Sequence, residues 1–483
     1  MGATSTWATA AGESRCDIVV SNGYIVTLDV ERRVFEHGAV AITDRRIVAV
    51  GPADDIARLY RAQRTLDARG GTIHPGFIDA HNHIVHTTCR GILDLPGRSR
   101  GNVSFADWKA DVTSEEEHVA TQLSCLEMLR HGFTMFIEPG TAFDNDAVAE
   151  GAESIGVRGM LAGCYLWDQV EIMRHLGSLD SRSLYDRAPP TLERCLDQLG
   201  SELHRNRDAD ALVRGYVSVY GLGTASDTLL RAAKKLAEDS EVIFQQHEGY
   251  VPAASHADKE RLGKPRITHL AEIGVLGKNT CLIHMNVLED SDIPLIVRSG
   301  TRVIWCPAAY LQLGISAEAP CRLPELREQG VSVALGTDGA LNCLIGDAGH
   351  AAYLVAASVR RPITPSAVIE MQTIEAARAA GLESHIGSIE PGKRADIVVR
   401  GTGSPEAFPG VNPVHQLALT CRGGTVDTVI VDGKVVLRHG RSTLVDEELV
   451  FAEAQASVKR RMARLGLEPS RYWGPMAADH APP

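Results

Sequence analysis

The sequence lacks the features that would place the protein at a membrane, on nucleic acid or in an oxidising compartment. It has no run of about 18 apolar residues, which excludes a membrane-spanning helix. It has no basic run, and its formal charge of -12 argues against nucleic acid and anionic membranes as partners. Its ten cysteines are scattered without a CxxC pair, and its first 15 residues are small and polar, unlike a secretory signal. We therefore expect reduced thiols in a cytoplasmic protein.

The chain of 483 residues is long enough for one large barrel with attachments or for two compact units. Short β-rich runs with turns occupy residues 16–73 and return at residues 388–445. We therefore predict one β-sandwich built from both ends of the chain. Residues 1–15 are predicted to be disordered, and residues 446–483 to form a helix and a tail.

Residues 74–387 have a different pattern, in which apolar runs of strand length alternate with helical patterns. Such a pattern is typical of an α/β fold whose parallel strands are covered on both faces. Eight units predict a (β/α)8 TIM barrel with insertions. The segments after the first strand and from Trp167 to Pro190 are long enough to act as lids.

Polar residues fall where the predicted strands end, which is where barrels of this kind carry their active sites. They are His81 and His83 on strand one, Glu138 on strand two, His247 and Glu248 on strand five, His284 on strand six and Asp338 on strand eight. A lone histidine is most often a satisfied polar residue, but this combination at barrel spacing is not expected by chance.

The two histidines of "HPGFIDAHNHI" predict half of a metal site. His81 and His83 are two apart on a strand, so their side chains face the same way, about 6.6 Å apart along the strand. A third imidazole from His247 and the carboxylate of Asp338 complete a set that leaves room for water, which is the mark of a catalytic metal. Three histidines and a carboxylate suit zinc, and they suit iron as well.

The motifs "PGFIDAHNH", "QQHEG", "CLIHMN", "LGTDGA" and "GSIEPGKRADIVV" resemble the amidohydrolase superfamily, in its branch of cytosine and guanine deaminases and triazine hydrolases. The resemblance runs from about residue 16 to residue 440. It implies that His81, His83, His247 and Asp338 are the metal ligands and that His284 assists the hydrolytic water or polarises the substrate. Two-metal relatives carry a lysine on strand four; this chain has Ser218 there, so one metal is expected.

The resemblance implies a metal-dependent hydrolase, an aminohydrolase that acts on a cyclic C–N bond of a heterocyclic or amidine-like small molecule. Metal-bound hydroxide would attack the ring carbon, Asp338 would take the proton of the water, and His284 would stabilise the developing charge. The resemblance also implies self-association, as a homodimer. A non-catalytic scaffold is the remaining reading, and the presence of all four ligands argues against it.

The chain departs from the deaminase branch at strand five, where a glutamate usually stands three residues after the histidine. Tyr250 occupies that position, and Glu248 can replace the glutamate only if a bulge or a turn at Gly249 directs it to the metal. Otherwise Asp338 and His284 carry the proton transfer. The missing glutamate leaves open a specialised amidohydrolase that cleaves an amide or lactam, removes an alkylamino or halogen group, or runs a cyclisation in reverse.

Four residues are candidates for substrate binding. His86 replaces a substrate-contacting glutamine of relatives, and Tyr250 replaces the glutamate. Trp305 either stacks on a planar substrate or packs in the core. Glu138 either binds an amino or guanidino group or forms a local salt bridge. Ser218 and Asn342 are weaker candidates.

Overall fold

The computed structural model of the protein describes residues 14–93, 99–100, 102–339 and 345–468. Of the segment predicted to be disordered, residues 14 and 15 are described, and they begin the first strand. The candidate Asn342 and the tail beyond residue 468 lie outside the described residues. None of the helices in the described ranges combines the length and apolar character needed to cross a bilayer.

The strands of the described chain belong to one terminal sheet, two barrel sheets and one short hairpin. They are β1 (Ser14–Val26), β2 (Val34–Thr43), β3 (Arg46–Pro52), β4 (Tyr60–Asp67), β5 (Thr72–Pro75), β6 (Phe77–Asp79), β7 (Ser99–Arg100), β8 (Val103–Ser104), β9 (Phe133–Ile137), β10 (Arg158–Leu161), β11 (Val213–Gly215), β12 (Val217–Gly221), β13 (Phe244–Glu248), β14 (Thr280–His284), β15 (Arg302–Trp305), β16 (Val333–Leu335), β17 (Ile397–Arg400), β18 (Val426–Val431), β19 (Lys434–Arg438) and β20 (Arg441–Ser442).

Most of the helices follow strands of the barrel, whereas α1 and α16 lie between strands of the terminal sheet and α17 follows that sheet. They are α1 (Ala53–Leu59), α2 (Phe105–Ala110), α3 (Ser114–His131), α4 (Asn145–Ile155), α5 (Arg182–Arg187), α6 (Leu192–Gln198), α7 (Asp227–Asp239), α8 (Pro252–Leu262), α9 (Arg266–Glu272), α10 (Asp292–Ser299), α11 (Pro307–Leu313), α12 (Leu323–Glu328), α13 (Ala348–Ser358), α14 (Pro365–Gln372), α15 (Ile374–Ala380), α16 (Pro413–Leu419) and α17 (Glu447–Arg464). Short 3-10 helices, such as Ile84–Cys89 and Glu171–Leu179, lie in the connections.

The two ends of the chain form one small β-domain, as the sequence predicts. Its nine-stranded sheet runs β20-β19-β18-β17-β5-β1-β2-β3, with β4 also paired to β1. The junction of the two ends is the antiparallel pair of β17 and β5, in which Val398 lies opposite His74. Buried aliphatic side chains from both ends pack together in this domain, among them Val20, Val40 and Ile397.

The barrel consists of two parallel sheets, β6-β9-β10-β11 and β12-β13-β14-β15-β16. Hydrogen bonds join them at both seams. At one seam Tyr216 N donates to the Leu161 carbonyl (3.0 Å), and at the other Ala80 N donates to the Leu335 carbonyl (3.0 Å). The α/β barrel predicted from the alternating pattern is therefore confirmed.

The first predicted barrel strand, read as continuous from residue 71 to residue 83, is divided at Gly76. β5 joins the terminal sheet, whereas β6 joins the barrel. A Cβ atom at residue 76 would lie 2.1 Å from Thr134 Oγ1, so only glycine fits where the chain passes between the two domains. β6 ends at Asp79, and both metal-site histidines therefore follow the strand rather than lie on it.

Candidate metal centre

Four histidines and one aspartate lie at the same rim of the barrel. His81 and His83 follow β6, His247 lies in β13, His284 ends β14, and Asp338 follows β16. Asp338 N donates to the His81 carbonyl (2.9 Å), and His83 N donates to the Asp338 carbonyl (3.3 Å). The side chains converge because parallel barrel strands all end at one rim.

The Asp79 side chain holds the ends of the first and last strands together. Its carboxylate accepts hydrogen bonds from Asn82 Nδ2 (2.8 Å), Thr337 N (3.0 Å) and Thr337 Oγ1 (2.5 Å). The motifs "FIDAHNH" and "GTDG" are therefore joined through side chains that are not themselves candidate ligands. Asp79 is fully buried, so this arrangement is shielded from water.

Two of the site residues have backbone conformations that non-glycine residues rarely adopt. His284 has φ 76° and Asp338 has φ 61°. Such conformations cost free energy and cluster at functional sites, where the surrounding structure holds them. Here they direct both side chains towards the other three.

The possible ligand atoms form two overlapping groups. One contains His81, His247 and His284, and the other contains His81, His83 and Asp338; the ligand atoms within each group lie within 4.8 Å of one another. Asp338 Oδ1 lies 3.1 Å from His83 Nε2 and 3.8 Å from His81 Nε2. The geometry therefore brings together all four predicted ligands and His284.

Hydrogen bonding fixes which nitrogen of His83 faces the site. Glu138 accepts hydrogen bonds from Gly140 N (2.7 Å) and Thr141 N (2.9 Å), and it also accepts one from the Thr141 hydroxyl. The Thr141 hydroxyl donates its only proton to Glu138. In its 2.7 Å contact with His83 Nδ1 the hydroxyl oxygen is therefore the acceptor, and Nδ1 is the donor. His83 Nε2 then presents a lone pair to Asp338.

A hydrogen bond also fixes the orientation of the His247 ring. Its Nδ1 lies 2.6 Å from the Tyr220 carbonyl oxygen, which can only accept, so Nδ1 carries the proton and Nε2 faces the site. Metal-binding histidines commonly have such an acceptor behind them, and it sets both tautomer and ring orientation.

The residues present fit a metal ion. His83 Nε2 and Asp338 Oδ1 are both acceptors at 3.1 Å, which is repulsive unless a cation lies beside them. Both ring nitrogens of His81 are buried without a hydrogen-bond partner among the described residues. A buried polar atom left in this way is costly unless a ligand satisfies it. Zinc or a similar divalent ion bound by these imidazoles and this carboxylate would satisfy His83 Nε2, Asp338 Oδ1 and one of the two ring nitrogens of His81.

The protonation states also suit a metal. Burial, followed by the charges of His247 and His83, lowers the pKa of His81 well below its usual value. The imidazole is therefore neutral, which is the form that binds metals. Burial alone would raise the pKa of Asp338, but positive charge around it, on the neighbouring histidines or on a bound metal ion, lowers it well below the usual value. Asp338 is therefore ionised.

A narrow cavity of about 30 Å³ opens onto the cluster. His83, His247, His284 and Asp338 form its polar floor. Its other lining residues are largely aromatic and aliphatic: Phe105, Leu179, Tyr220, Leu222, Tyr250 and Ala309, together with Lys109, Gln312, Thr337 and Gly339. Its aromatic walls suit contact with a planar ring.

The structure does not bring Glu248 to the site. β13 continues through this residue, so its side chain points away from the cluster, as strand alternation requires. It lies 3.2 Å from Arg266 Nε and 3.1 Å from Gln246 Nε2 in a separate cavity. The turn at Gly249 comes too late in the chain to redirect it. Glu248 therefore has no part in the chemistry proposed below.

The predicted substrate residues have different positions. Tyr250 lines the cavity, and its ring centroid lies 4.5 Å from that of His284. His86 does not line the cavity but stacks on His83, with centroids 5.0 Å apart. The Glu138 carboxylate accepts hydrogen bonds from the turn that follows it in the chain, behind His83. Trp305 is buried in the main hydrophobic cluster. Ser218 contacts backbone carbonyls, including Gln245 O at 3.1 Å.

Sequence reasoning missed Thr141, Tyr220 and Lys109. Thr141 and Tyr220 act through a hydroxyl and a backbone carbonyl that are brought to the histidines by folding. Lys109 directly follows the segment after the first strand that is predicted to be a lid, and sequence alone does not indicate which side chain there turns inwards.

The comparisons with known proteins agree with this architecture. The sequence model of the Amidohydrolase family matches residues 72–436. The chain is 32% identical over 440 residues to a 5-methylthioadenosine/S-adenosylhomocysteine deaminase of Syntrophobacter fumaroxidans, covering 89% of this chain and 95% of the relative. It is 28% identical over 467 residues to a 5'-deoxyadenosine deaminase of Methanosarcina mazei, covering 93% and 99%. The crystal structure of a zinc-bound adenosine deaminase from Xanthomonas campestris superposes with a TM-score of 0.80 at 24% identity, covering 93% of this chain and 100% of the other.

Proposed function

Because the chain belongs to the amidohydrolase family, we propose a defined reaction for this metal-dependent aminohydrolase: removal of the exocyclic amino group of an adenine nucleoside by water. The relatives named above are deaminases of adenosine-type compounds, and two of them span nearly the whole chain. The single observation that carries the proposal is the convergence of four histidines and an ionised aspartate beside one cavity, which Asp338 and three of the histidines line.

We propose that His81, His83, His247 and Asp338 hold one divalent ion, with zinc favoured and iron suited to the same ligands. When bound, such an ion lowers the pKa of a coordinated water and so supplies the nucleophile at neutral pH. The possible ligand atoms of His284, His81 and His247 lie within 4.8 Å of one another, so a test of metal binding must include a variant of His284.

The protein's own residues then handle the substrate and the protons. Tyr220, Tyr250 and Phe105 provide aromatic faces against which a purine ring packs. Asp338 is ionised at neutral pH, because its pKa is held low, and it is the group that accepts a proton from the attacking water and returns it to the leaving amine. His284 borders the same cavity and donates to the ring nitrogen or the oxygen on which negative charge develops.

A panel of adenine nucleosides tests the proposal. The protein is loaded with zinc, and ammonia release is measured together with the loss of adenine absorbance. We expect turnover of at least one nucleoside, and a loss of at least about a hundredfold in kcat for Asp338→Asn, because general acid-base help is worth that much. A metal-loaded protein that releases ammonia from none of them would contradict the proposed substrate.

A second reaction is favoured by one observation. Among the described residues that line the cavity, Asp338 is the only carboxylate, because Glu248 points elsewhere and Tyr250 stands at the usual glutamate position. A leaving halide needs no proton, so a site with one carboxylate suits it. Chloride release from a chloropurine nucleoside that exceeds ammonia release from adenosine would favour this specialised reaction; the same comparison extends to alkylamino and lactam compounds.

We also propose that residues 74–387 form the catalytic domain, and that the protein works in the cytoplasm as a homodimer. The nine cysteines in the described part of the chain are all free thiols, which suits a reducing compartment. Light scattering of the purified protein gives its oligomeric state, and a monomer would contradict the last of these proposals.

A further inference from the structure

Lys109 is a buried lysine in the wall of the active-site cavity. It lies on α2 with a relative exposure of 4%, and it lines the cavity together with His284 and Asp338. Its Nζ lies 4.9 Å from the centre of the Phe105 ring and 5.8 Å from that of Tyr165. Lysine is among the residues that are least often fully buried, so its position here calls for a reason.

The helix that carries Lys109 is fixed from two directions. Asp107 caps α2 with Ser104 and accepts hydrogen bonds from the hydroxyls of Ser181 (2.7 Å) and Ser183 (3.0 Å). Arg187 Nη1 donates to the carbonyls of residues 110 and 112, both at 2.6 Å. The connection that contains α5 therefore holds α2 against the barrel.

The C-terminal helix α17 fixes α2 from the other side. Arg461 donates to the Trp108 carbonyl, and its guanidinium carbon lies 4.1 Å from the centre of the Trp108 ring. Lys109 follows directly, so its backbone has little freedom. A side chain held in this way is preorganised, and preorganisation is what a specificity contact requires.

The charges in the cavity favour an anion. Asp338 contributes one negative charge and Lys109 one positive charge, and a divalent ion in the proposed site would add two more positive charges. Lys234 is also buried, but it does not line this cavity. Among the described residues that line the cavity, Lys109 is the only lysine.

We propose that Lys109 binds an anionic group of the substrate, a carboxylate or a phosphate, while the amino-bearing ring lies over the metal centre. The inference rests on the proposed function for the identity of the ring, but not for the anion contact itself. Lysine binds such groups as a point charge with three donors, so either anion fits the same contact.

The experiment compares nucleosides that share the ring and differ in charge. The probes are adenosine, adenosine 5'-carboxylate and adenosine 5'-monophosphate, and kcat/KM is measured for wild-type protein, Lys109→Met and Lys109→Arg. The quantity compared is the ratio of kcat/KM for the preferred anionic nucleoside to kcat/KM for adenosine. We expect this ratio to fall at least about tenfold in Lys109→Met, since a hydrogen bond to a charged group is worth that much. We expect it to recover in Lys109→Arg. Lys235→Met, a change at an exposed lysine on α7, is the control for loss of one positive charge.

A second measurement separates the inference from the proposed function. The melting temperature of the metal-loaded protein is followed in sodium acetate and in sodium phosphate, with chloride balancing the ionic strength. A rise in wild-type protein that is absent in Lys109→Met supports the anion contact, and the two salts distinguish carboxylate from phosphate. Lys109→Gln replaces Lys109→Met if the latter does not fold.

The outcomes are distinct. Turnover of nucleosides with an unchanged ratio in Lys109→Met overturns the inference and leaves the proposed function intact. An anion-dependent rise without turnover of any nucleoside overturns the proposed function and leaves the inference intact. The absence of both effects overturns the inference.

Discussion

Replacing Thr141 by valine tests whether the acceptor behind His83 prepares the metal site. The change keeps the shape of the side chain but removes the hydroxyl that lies 2.7 Å from His83 Nδ1 and donates to Glu138. Without the hydroxyl, no acceptor favours the His83 tautomer in which Nε2 has the lone pair. The free energy of metal binding must then include the cost of selecting that tautomer. Removal of such an outer partner typically lowers metal affinity 10–100-fold. That range corresponds to about 1.4–2.8 kcal/mol of binding free energy.

Zinc affinity is measured by competition with a chromophoric chelator, at one pH and ionic strength. Thr141→Ser keeps the hydroxyl and is expected to restore most of the affinity. Thr134→Val is the matched control: Thr134 is equally buried on the neighbouring strand β9, and its hydroxyl has no hydrogen-bond partner among the described residues. If Thr141→Val binds zinc within about threefold of the wild-type protein and of Thr134→Val, a margin well below the expected loss, the reasoning is refuted.

Three further changes separate structure from chemistry. Glu248→Gln should lower the unfolding free energy by about 1.5–3 kcal/mol, because the buried Arg266 loses one of its two carboxylate partners and keeps only Asp258. It should alter kcat far less than Asp338→Asn does; an equal loss of kcat would return Glu248 to the chemistry. Arg158→Met should cost about 3–5 kcal/mol in denaturant unfolding, because it leaves the buried Asp396 without its arginine partner, whereas Asp432 keeps Arg45 and Arg394; a change no larger than a surface arginine variant gives would contradict this. Burial raises the pKa of Asp292 to about 6, so the folded state binds the carboxyl proton of Asp292 more tightly than the unfolded state does. The contribution of Asp292 to stability is therefore lost as the pH rises from about 4 to about 6. Asp292→Asn should therefore flatten the melting temperature over that pH range, and an unchanged profile would refute the assignment.

The cluster of candidate metal ligands could be predicted from the sequence because its members belong to strand ends. A histidine pair after one apolar run and an aspartate after another must meet if both runs are strands of one barrel. The β-domain could be predicted because alternating runs at both ends of the chain need partners. These inferences depend on pattern and topology, which the sequence carries directly.

The orientation of single side chains could not be predicted in the same way. Glu138 also ends a strand, but its carboxylate turns back to the amides of Gly140 and Thr141, and only the backbone course shows this. The direction of Glu248 depended on whether β13 continued by one more residue. The division at Gly76 depended on a contact with Thr134, which lies 58 residues away in the chain.

The identity of the substrate is the least predictable feature, because the walls of the cavity come from connections between strands. Phe105 and Lys109 reach the cavity only because α2 is held by residues from α5 and α17. Such contacts join segments that are more than 70 and more than 350 residues apart, and no local pattern reports them.

The central claim is that one divalent metal ion is held by His81, His83, His247 and Asp338. The most direct measurement is the metal content per chain, by plasma mass spectrometry, of protein purified without added metal. We expect about one equivalent of zinc or iron, the number that a single such ligand set can bind, and its loss in His247→Ala and Asp338→Ala. Two equivalents would contradict the single site, and no metal with no uptake of added zinc would contradict the metal centre itself.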